Sequence, residues 1–482
     1  MPTHRLIVPL LLCWLSFPAL AGMGFDEARH LLVRATFGAD AASIEQFAQF
    51  SRRQAVARLL EGGASVTITQ PPAWAEAPFD DPARLRDLSE EEKRQYLRER
   101  QREGVELRAW WLREMRNTPL PLAEKMTLFW HNHFATAMQK VKSGQLLYRQ
   151  NLTLRRHALG NFGELLHAVA KDPAMLIYLD TVRSRRDAPN ENFAREVMEL
   201  FTLGEGHYRE GDIKEAARAF TGWGLERGQG EFRFHPARHD SGEKTIFGQT
   251  GRFDGDDVLD LLLARPETAE FIVGKLWLEF VSPEKDEREI RRLARLFRDN
   301  RYEIRPLLMA LFTSDAFYAA KNRGALVKSP VELVLGTLIA LELPIDDLRP
   351  YAFVTRNLGQ DLFNPPNVKG WPGGAAWIDS DTLLRRKQFL ARLGRAAEMP
   401  GEAMRMRREQ EGGGLAMRAE FALTRAGRQM DLGGWLSGLP GPDRRQTARA
   451  VLLALPATET ARAGDDAEYV ARLLQDPVYQ LK

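Results

Sequence analysis

SPEKDEREIRRLARLFRDN, residues 282–300, predicts one amphipathic helix. Its apolar residues recur three and four positions apart, which places them on a single helical face. That face consists of Ile290, Leu293, Ala294 and Phe297. Ser282 followed by Pro283 is a typical helix start, and Asn300 is a typical end. We therefore expect this helix to pack against the rest of the protein through one apolar stripe.

The same spacing recurs along most of the chain and predicts a mainly α-helical protein. Further helices are predicted at Phe25–Phe37, Arg94–Met115, Leu122–Phe134 and Asn192–Leu203, with a last helical region from Arg418 to Leu474.

One segment departs from helical spacing and predicts a small β-hairpin near residues 231–248. Glu231–His235 alternates polar and apolar residues, as a half-buried strand does. Lys244–Phe247 follows after a polar turn that contains Asp240 and Gly242. The expected fold class is therefore mainly α, a large helical domain with one small hairpin.

The first 21 residues have the composition of a cleaved export signal. A basic start, Met1–Arg5, precedes the apolar run Leu6–Phe17, and Ala19-Leu20-Ala21 fits a small-x-small cleavage site. We expect cleavage before Gly22 and a periplasmic or secreted protein. Cys13, the single cysteine, leaves with the signal, so the mature chain has no thiol for a disulfide or a metal.

The mature sequence divides into two predicted regions. Residues 22–408 form the helical domain, and the polar stretch Glu409–Gly414 opens a C-terminal helical region, residues 409–482, that packs on it or continues it. The net charge of +3 falls to +2 when Arg5 leaves with the signal. So small a charge gives no reason to expect nucleic acid as a partner. No second apolar run predicts a membrane span after cleavage.

A series of long blocks stands out along the chain. They are His30–Gly38, Trp130–Phe134 (WHNHF), Asn190–Glu196, Met198–Gly204, Glu215–Trp223, His239-Asp240, Leu326–Glu332 and Pro365–Gly374 (PPNVKGWPGG). In this order they resemble the bacterial family catalogued as domain of unknown function 1800. The resemblance extends from about Phe25 to the C-terminus and weakens after Arg386.

The resemblance implies an exported helical protein and no particular reaction. Members of the family are often found beside a second exported family that looks related to sulfatases and phosphatases. An exported partner enzyme of that kind is therefore one expectation. The chemistry of the site has to be inferred from the residues themselves.

The segment Asn192–Leu203 contains the first candidate metal ligands. Helical spacing places Glu196 and Glu199 on one face with Asn192. Two carboxylates one turn apart can hold a divalent cation, and added imidazole ligands would favour zinc, manganese or iron. The alternative is that both glutamates pair with an arginine such as Arg195 or Arg218 and fasten helices together.

The WHNHF block supplies the imidazole candidates, His131 and His133. On a helix these two side chains point about 200° apart, so both could share one ion only if the helix ended or kinked beside them. The alternative is a pair of histidines that are satisfied inside the core. His239 and Asp240, in the predicted turn, are candidates for an acid–base pair. For them, the alternative is that Asp240 closes the turn by accepting backbone hydrogen bonds while His239 is exposed.

Two loops that combine aromatic rings with glycine are candidate binding loops. Trp223, Asn367, Trp371 and Trp377 could form a platform on which sugar or peptide stacks. The alternative is that the tryptophans fill the core where irregular chain crosses helices.

Two functional hypotheses follow from these candidates. The first is a metal-dependent hydrolase-like enzyme of the cell envelope, with His131, His133, Glu196 and Glu199 as ligands. The second is a non-catalytic helical module that binds an envelope polymer or an exported partner enzyme. Convergence of His131, Glu196, Glu199 and His239 on one point favours the enzyme, and separate ion pairs favour the module.

Overall fold

The computed structural model describes residues 22–62, 67–80, 88–226, 228–395, 431–458 and 464–482. These residues form a mainly α-helical protein, as predicted. The first half contains α1 Phe25–Ala35, α2 Ala41–Ala48, α3 Arg52–Leu60, α4 Glu90–Asn117, α5 Pro121–His133, α6 Met138–Val141, α7 Gly144–His157, α8 Phe162–Ala170, α9 Pro173–Tyr178, α10 Glu191–Glu196 and α11 Glu210–Ala219.

The second half contains α12 Gly255–Ala264, α13 Pro266–Phe280, α14 Glu287–Asp299, α15 Ile304–Phe312, α16 Asp315–Tyr318, α17 Pro330–Ala340, α18 Arg349–Asn357, α19 Ser380–Arg395, α20 Leu432–Gly438, α21 Arg444–Leu452 and α22 Asp466–Gln475. Short 3-10 turns lie at Ala73–Ala75, Thr181–Arg183, Pro236–Arg238, Ala320–Asn322, Gly374–Trp377 and Pro477–Gln480. The strands are β1 Trp223–Glu226, β2 Glu231–Phe234, β3 Lys244–Ile246 and β4 Gln249–Gly251.

The helix predicted from residues 282–300 is α14, and its four stripe residues are all buried. Its start differs from the prediction. The Asp286 side chain accepts hydrogen bonds from the backbone N–H groups of Arg288 and Glu289 and so caps the helix. Ser282 instead accepts a hydrogen bond from the Glu284 N–H in the connection after α13. An aspartate nearer the apolar stripe therefore takes the role that we assigned to Ser282.

The predicted hairpin region is present, but its strands pair differently. β2 pairs antiparallel with β1, which lies before it in the chain, and β3 pairs with β4, which lies after it. The segments Glu231–His235 and Lys244–Phe247 are therefore not partners of each other. A short 3-10 turn, Pro236–Arg238, separates β2 from the turn that contains Asp240.

Helix α5 lies at the centre of the fold. Its residues from Leu122 to His131 are all buried, and it contacts α1, α3, α4 and α7. Two buried ion pairs fasten it to its neighbours, Glu124 with Arg155 of α7 and Lys125 with Glu332 of α17. Buried charges are tolerated when they are paired in this way.

The described part of the C-terminal region contacts the helical domain directly. The Arg29 Nε donates to the Val451 carbonyl oxygen at 3.0 Å, and the Lys482 N–H donates to the Leu326 carbonyl oxygen at 2.8 Å. The predicted boundary near residue 408, with the stretch Glu409–Gly414, lies outside the described residues, and the division into two regions stays a prediction.

The predicted export signal, residues 1–21 with Cys13, also lies outside the described residues. None of the helices in the described ranges combines the length and the apolarity needed to cross a bilayer.

Candidate active site

The two glutamates of the segment Asn192–Leu203 lie where an α-helix widens into a π-helix. Helix α10 ends at Glu196, and Val197–Thr202 continues as one π-helical turn. The Leu203 N–H accordingly donates to the Met198 carbonyl oxygen, five residues back. Such turns are rare and occur frequently at functional sites.

The two carboxylates differ in their partners. The Tyr208 hydroxyl donates a hydrogen bond of 2.5 Å to Glu199 Oε2. Glu196 is half-buried, and within the described part of the chain it forms no hydrogen bond and no ion pair. Arg195, the arginine next to it, pairs with Glu210 at 2.8 Å instead. Neither of the arginines that we considered as fasteners therefore holds Glu196.

The surroundings of Glu196 raise its pKa. Partial burial and the neighbouring charge of Glu199 raise the pKa of Glu196, and the positive charges of Lys369 and Arg195 oppose that rise. The pKa of Tyr208 is raised too, by burial and by its hydrogen bond to Glu199. A half-buried acid whose pKa is raised beside a second carboxylate is typical of acid–base sites.

Polar residues from other blocks surround the two glutamates. Lys369, from PPNVKGWPGG, lies 3.7 Å from Glu205 and acts electrostatically on Glu196. Burial and the nearby charge of Glu196 raise the pKa of Tyr178 at the end of α9. We call Tyr178, Glu196, Glu199, Tyr208 and Lys369 the acid-pair face. It brings Lys369 together with residues 178–208, from which it is far apart in the sequence.

The two predicted histidine ligands lie in the core. His133 is 4 % exposed, and its Nε2 donates to the Phe201 carbonyl oxygen at 3.1 Å. Its Nδ1 accepts from the Lys275 Nζ at 3.2 Å. Both ring nitrogens are therefore occupied. Burial and the charge of Lys275 hold the pKa of His133 well below its usual value, so this imidazole is neutral.

His131 points into a different, aromatic environment. Its ring packs against Trp111, Phe363 and Trp371 with centroid distances of 5.0, 5.3 and 5.7 Å. Its Nε2 is buried and has no hydrogen-bond partner among the described residues. Burial lowers the pKa of His131 to about 3. The core alternative therefore fits His133, while His131 lies in the core with an unsatisfied Nε2.

The residue between them, Asn132, has a role that the sequence did not indicate. Its Oδ1 accepts a hydrogen bond of 2.7 Å from the Trp371 N–H. Gly370 has a φ of 82°, and a Cβ there would lie 2.3 Å from Asn132 Oδ1. The asparagine thus holds the PPNVKGWPGG loop against the end of α5. Lys275 is a second residue that we missed, because its own sequence surroundings look like ordinary amphipathic helix.

His239 and Asp240 close a turn, as the alternative proposed for Asp240. Asp240 pairs with Arg218, Nε to Oδ2 at 2.7 Å, and accepts a hydrogen bond from the Gly242 N–H at 2.9 Å. The Arg218 guanidinium and the Gly242 hydrogen bond lower the pKa of Asp240. His239 is half-buried rather than exposed, and its Nδ1 lies 2.9 Å from the Thr221 carbonyl oxygen.

The tryptophans of the candidate binding loops are buried. Trp223, Trp371 and Trp377 are between 4 % and 7 % exposed. The Trp223 ring packs edge-on against Phe220. Asn367 is the exposed member of this group, and its Oδ1 accepts a hydrogen bond of 2.9 Å from the Lys369 N–H. These rings fill the core and do not form a stacking platform.

Of the four predicted metal ligands, the two histidines are thus buried and the two glutamates face solvent. In the residues that the structure describes, no three His, Asp or Glu side chains come together in a group that could hold a metal ion. The predicted zinc, manganese or iron site therefore stays a prediction. His239 is likewise occupied by contacts of its own.

A comparison with protein families gives one match, which covers residues 30–481. The matching family is described as protein of unknown function, DUF1800. No curated protein matches the chain. No solved structure matches it either.

Proposed function

This chain belongs to the DUF1800 family, and we propose that it is a hydrolase of an envelope glycan that works by acid–base catalysis at the acid-pair face. Glu196 is the proton donor, and Glu199 is the proton acceptor. The envelope location in this proposal rests on the export signal predicted at residues 1–21.

One observation carries the proposal. Glu196 is a half-buried carboxylate without a hydrogen bond or ion pair to any described residue, and it lies one turn from Glu199. Glu196 is therefore accessible to a substrate, and no described side chain holds it in a structural contact. Proton transfer to a bound substrate is a use that fits a carboxyl with a raised pKa.

The surroundings of the two glutamates separate their roles. The Tyr208 hydroxyl donates a hydrogen bond that orients the Glu199 carboxylate. Glu196 has no such donor among the described residues, and partial burial and the charge of Glu199 raise its pKa. A carboxyl with a raised pKa beside an oriented carboxylate is an arrangement that glycoside hydrolysis can use.

The reaction balances with water as the second reactant. Glu196 gives its proton to the oxygen that leaves the sugar, and Glu199 takes a proton from the water that attacks the sugar carbon. The glycosidic bond breaks, one C–O bond to water forms, and proton exchange with solvent restores both glutamates. Neither step involves His131 or His133.

The rim of the face favours a neutral, hydroxyl-rich substrate. Lys369 and Glu205 offset each other at 3.7 Å, and Lys140 lies 2.7 Å from Asp180. Asn367 is exposed beside them. Paired charges and amides bind hydroxyl groups without attracting either sign of net charge.

The proposal is tested by measuring the reducing ends released from glycan strands of peptidoglycan and from neutral exopolysaccharides. We expect wild type to cleave one of them and both Glu196→Gln and Glu199→Gln to lose at least about 100-fold in rate, because general acid and base groups contribute 10²–10⁴. Glu191→Gln, on the same helix but paired with Arg195, is the matched control and keeps full activity.

Two results would overturn the proposal. One is that no glycan is cleaved by wild-type protein whose helical circular dichroism and melting temperature show that it is folded. The other is that Glu196→Gln cleaves as fast as Glu191→Gln.

A further inference from the structure

A large cleft lined by arginines lies far from the acid-pair face in the sequence. It has a volume of ≈ 830 Å³ and opens between α1, α21, α22 and the residues after α21. Its charged wall consists of Asp26, Arg29, Arg323, Asp443, Arg445 and Arg449. We call this the basic cleft. Its size is that of a small-molecule site, for which about 300–1,000 Å³ is usual.

Arginines outnumber carboxylates in the lining of the basic cleft. Four arginines face two aspartates, and arginine stays protonated at any physiological pH. His30, which also lines the cleft, adds no charge, because burial and the nearby guanidinium of Arg34 lower its pKa to about 3. Two further carboxylates lie just outside the lining, Asp466 beside Arg445 and Glu27 beside Arg323.

Two of the four arginines form contacts within the protein that stabilise the fold. The Arg29 guanidinium donates to the carbonyl oxygens of Val451 and Leu452. Arg445 pairs with Asp466 at 2.7 Å and stacks on the Tyr469 ring at 4.8 Å. These contacts fix the walls of the cleft.

The other two arginines keep most of their hydrogen-bonding capacity. Arg449 is exposed, and in the described ranges it has no hydrogen bond and no ion pair. A guanidinium nitrogen of Arg323 lies 3.7 Å from the Glu27 carboxylate. The Arg323 Nε donates a long hydrogen bond of 3.4 Å to the Tyr318 carbonyl oxygen. Each guanidinium can present two parallel N–H groups to a ligand.

Apolar side chains also line the cleft. They include Leu453, Leu455 and Leu473, which we call the leucine wall, and Leu455 is 39 % exposed. A ligand that contacts both the arginines and these leucines therefore has an anionic head and an apolar body.

We propose that the basic cleft binds an organic oxyanion, a carboxylate, phosphate or sulfate group attached to an apolar body, through Arg323 and Arg449. This site is independent of the proposed hydrolase activity. The head group accepts hydrogen bonds from the two guanidinium groups, and the body covers the leucine wall.

Isothermal titration calorimetry with benzoate, phenyl phosphate and phenyl sulfate tests the proposal, since the three probes share one body and differ in the head group. We expect at least one of them to bind, and its rank identifies the preferred oxyanion. Benzyl alcohol, which has the body without the charge, is the negative probe. Inorganic phosphate has the charge without the body and is expected to bind more weakly than phenyl phosphate.

Arg323→Gln/Arg449→Gln should weaken binding by about tenfold or more, because charge-assisted hydrogen bonds to both guanidinium groups are lost. Arg291→Gln/Arg295→Gln, on the exposed face of α14, changes the net charge equally and should leave the affinity within about twofold. Arg323→Lys/Arg449→Lys keeps the charge, and with it the fold, but should still bind more weakly because lysine lacks the planar pair of donors.

The proposal is overturned if no probe binds at millimolar concentration. It is also overturned if the two glutamine double variants lose affinity equally, since that result would mean that only net charge attracts the anion.

Discussion

The histidine pair of α5 and the glutamate pair of the π-helical turn look equivalent in the sequence, but their side chains differ in exposure. His131 and His133 are at most 4 % exposed, while Glu196 and Glu199 are half-buried at the surface. A hydrogen bond from the His133 ring to the Phe201 carbonyl oxygen joins the two segments. A polar residue in a dense motif can therefore serve either the fold or the chemistry, and exposure separates the two.

The largest effect is expected at His133. His133→Leu should lower the free energy of unfolding by about 2–4 kcal/mol, because the buried Phe201 carbonyl loses its donor and Lys275 loses an acceptor. Chemical denaturation measures this change. His207→Leu, at an exposed histidine, should change stability by less than about 0.5 kcal/mol. Equal effects at His133 and His207 would contradict a structural role for the buried imidazole.

Asp240 should show the next largest effect, on stability and not on catalysis. Asp240→Ala should cost about 1–2 kcal/mol near pH 7 through loss of the Arg218 pair and the turn hydrogen bond. Glu243→Ala, at an exposed neighbour, is the control.

The pH dependence of that cost follows from the lowered pKa of Asp240. A carboxyl whose folded-state pKa is depressed stabilises the protein above its unfolded pKa of about 3.9 and loses this contribution as the pH falls through the folded pKa. The stability difference between wild type and Asp240→Ala should therefore shrink below about pH 4. A difference that stays constant down to pH 2 would mean that the Arg218 pair contributes nothing.

His131 lies two residues from His133, and its substitution should change stability differently. Its Nε2 has no partner among the described residues, and aromatic rings surround it. His131→Leu removes that unsatisfied atom at similar volume, and we expect a change between neutral and about 1 kcal/mol of added stability. Thermal unfolding is sufficient to measure it. A loss as large as that of His133→Leu would reveal a polar partner for His131.

The smallest effect on stability is expected at Glu196. Its folded-state pKa is raised, so the ionised form destabilises the folded protein, and stability falls as the pH rises from the unfolded pKa through the folded one. Glu196→Gln removes this slope and should be more stable than wild type by a few tenths of a kcal/mol at pH 7, since solvent screens a half-exposed group. The gain should vanish below about pH 4. A variant less stable than wild type at pH 7 would show that Glu196 has a structural partner.

Local patterns predicted the helices well, because an apolar stripe such as that of α14 needs no information from the rest of the chain. The helix start at Asp286 was missed because two capping signals compete within five residues. The hairpin partners were missed because β2 is flanked by extended segments on both sides, and packing decides between them.

The candidate site was only partly predictable from the sequence. Spacing placed Glu196 and Glu199 on one face, but it could not show that Tyr208 would hold one of them and leave the other free. Burial of His131 and His133 depends on helices from the whole chain. The basic cleft was beyond sequence analysis, since Arg29, Arg323 and Arg449 form no local pattern.

The pKa of the Glu196 carboxyl, measured by ¹³C NMR in wild type and in Glu199→Gln, tests the assignment of this residue as the proton donor most directly. We predict a wild-type value above the usual glutamate value of about 4.3 and a lower value in Glu199→Gln, because the neighbouring negative charge is gone. A wild-type value at or below about 4.3, unchanged in Glu199→Gln, would contradict the account.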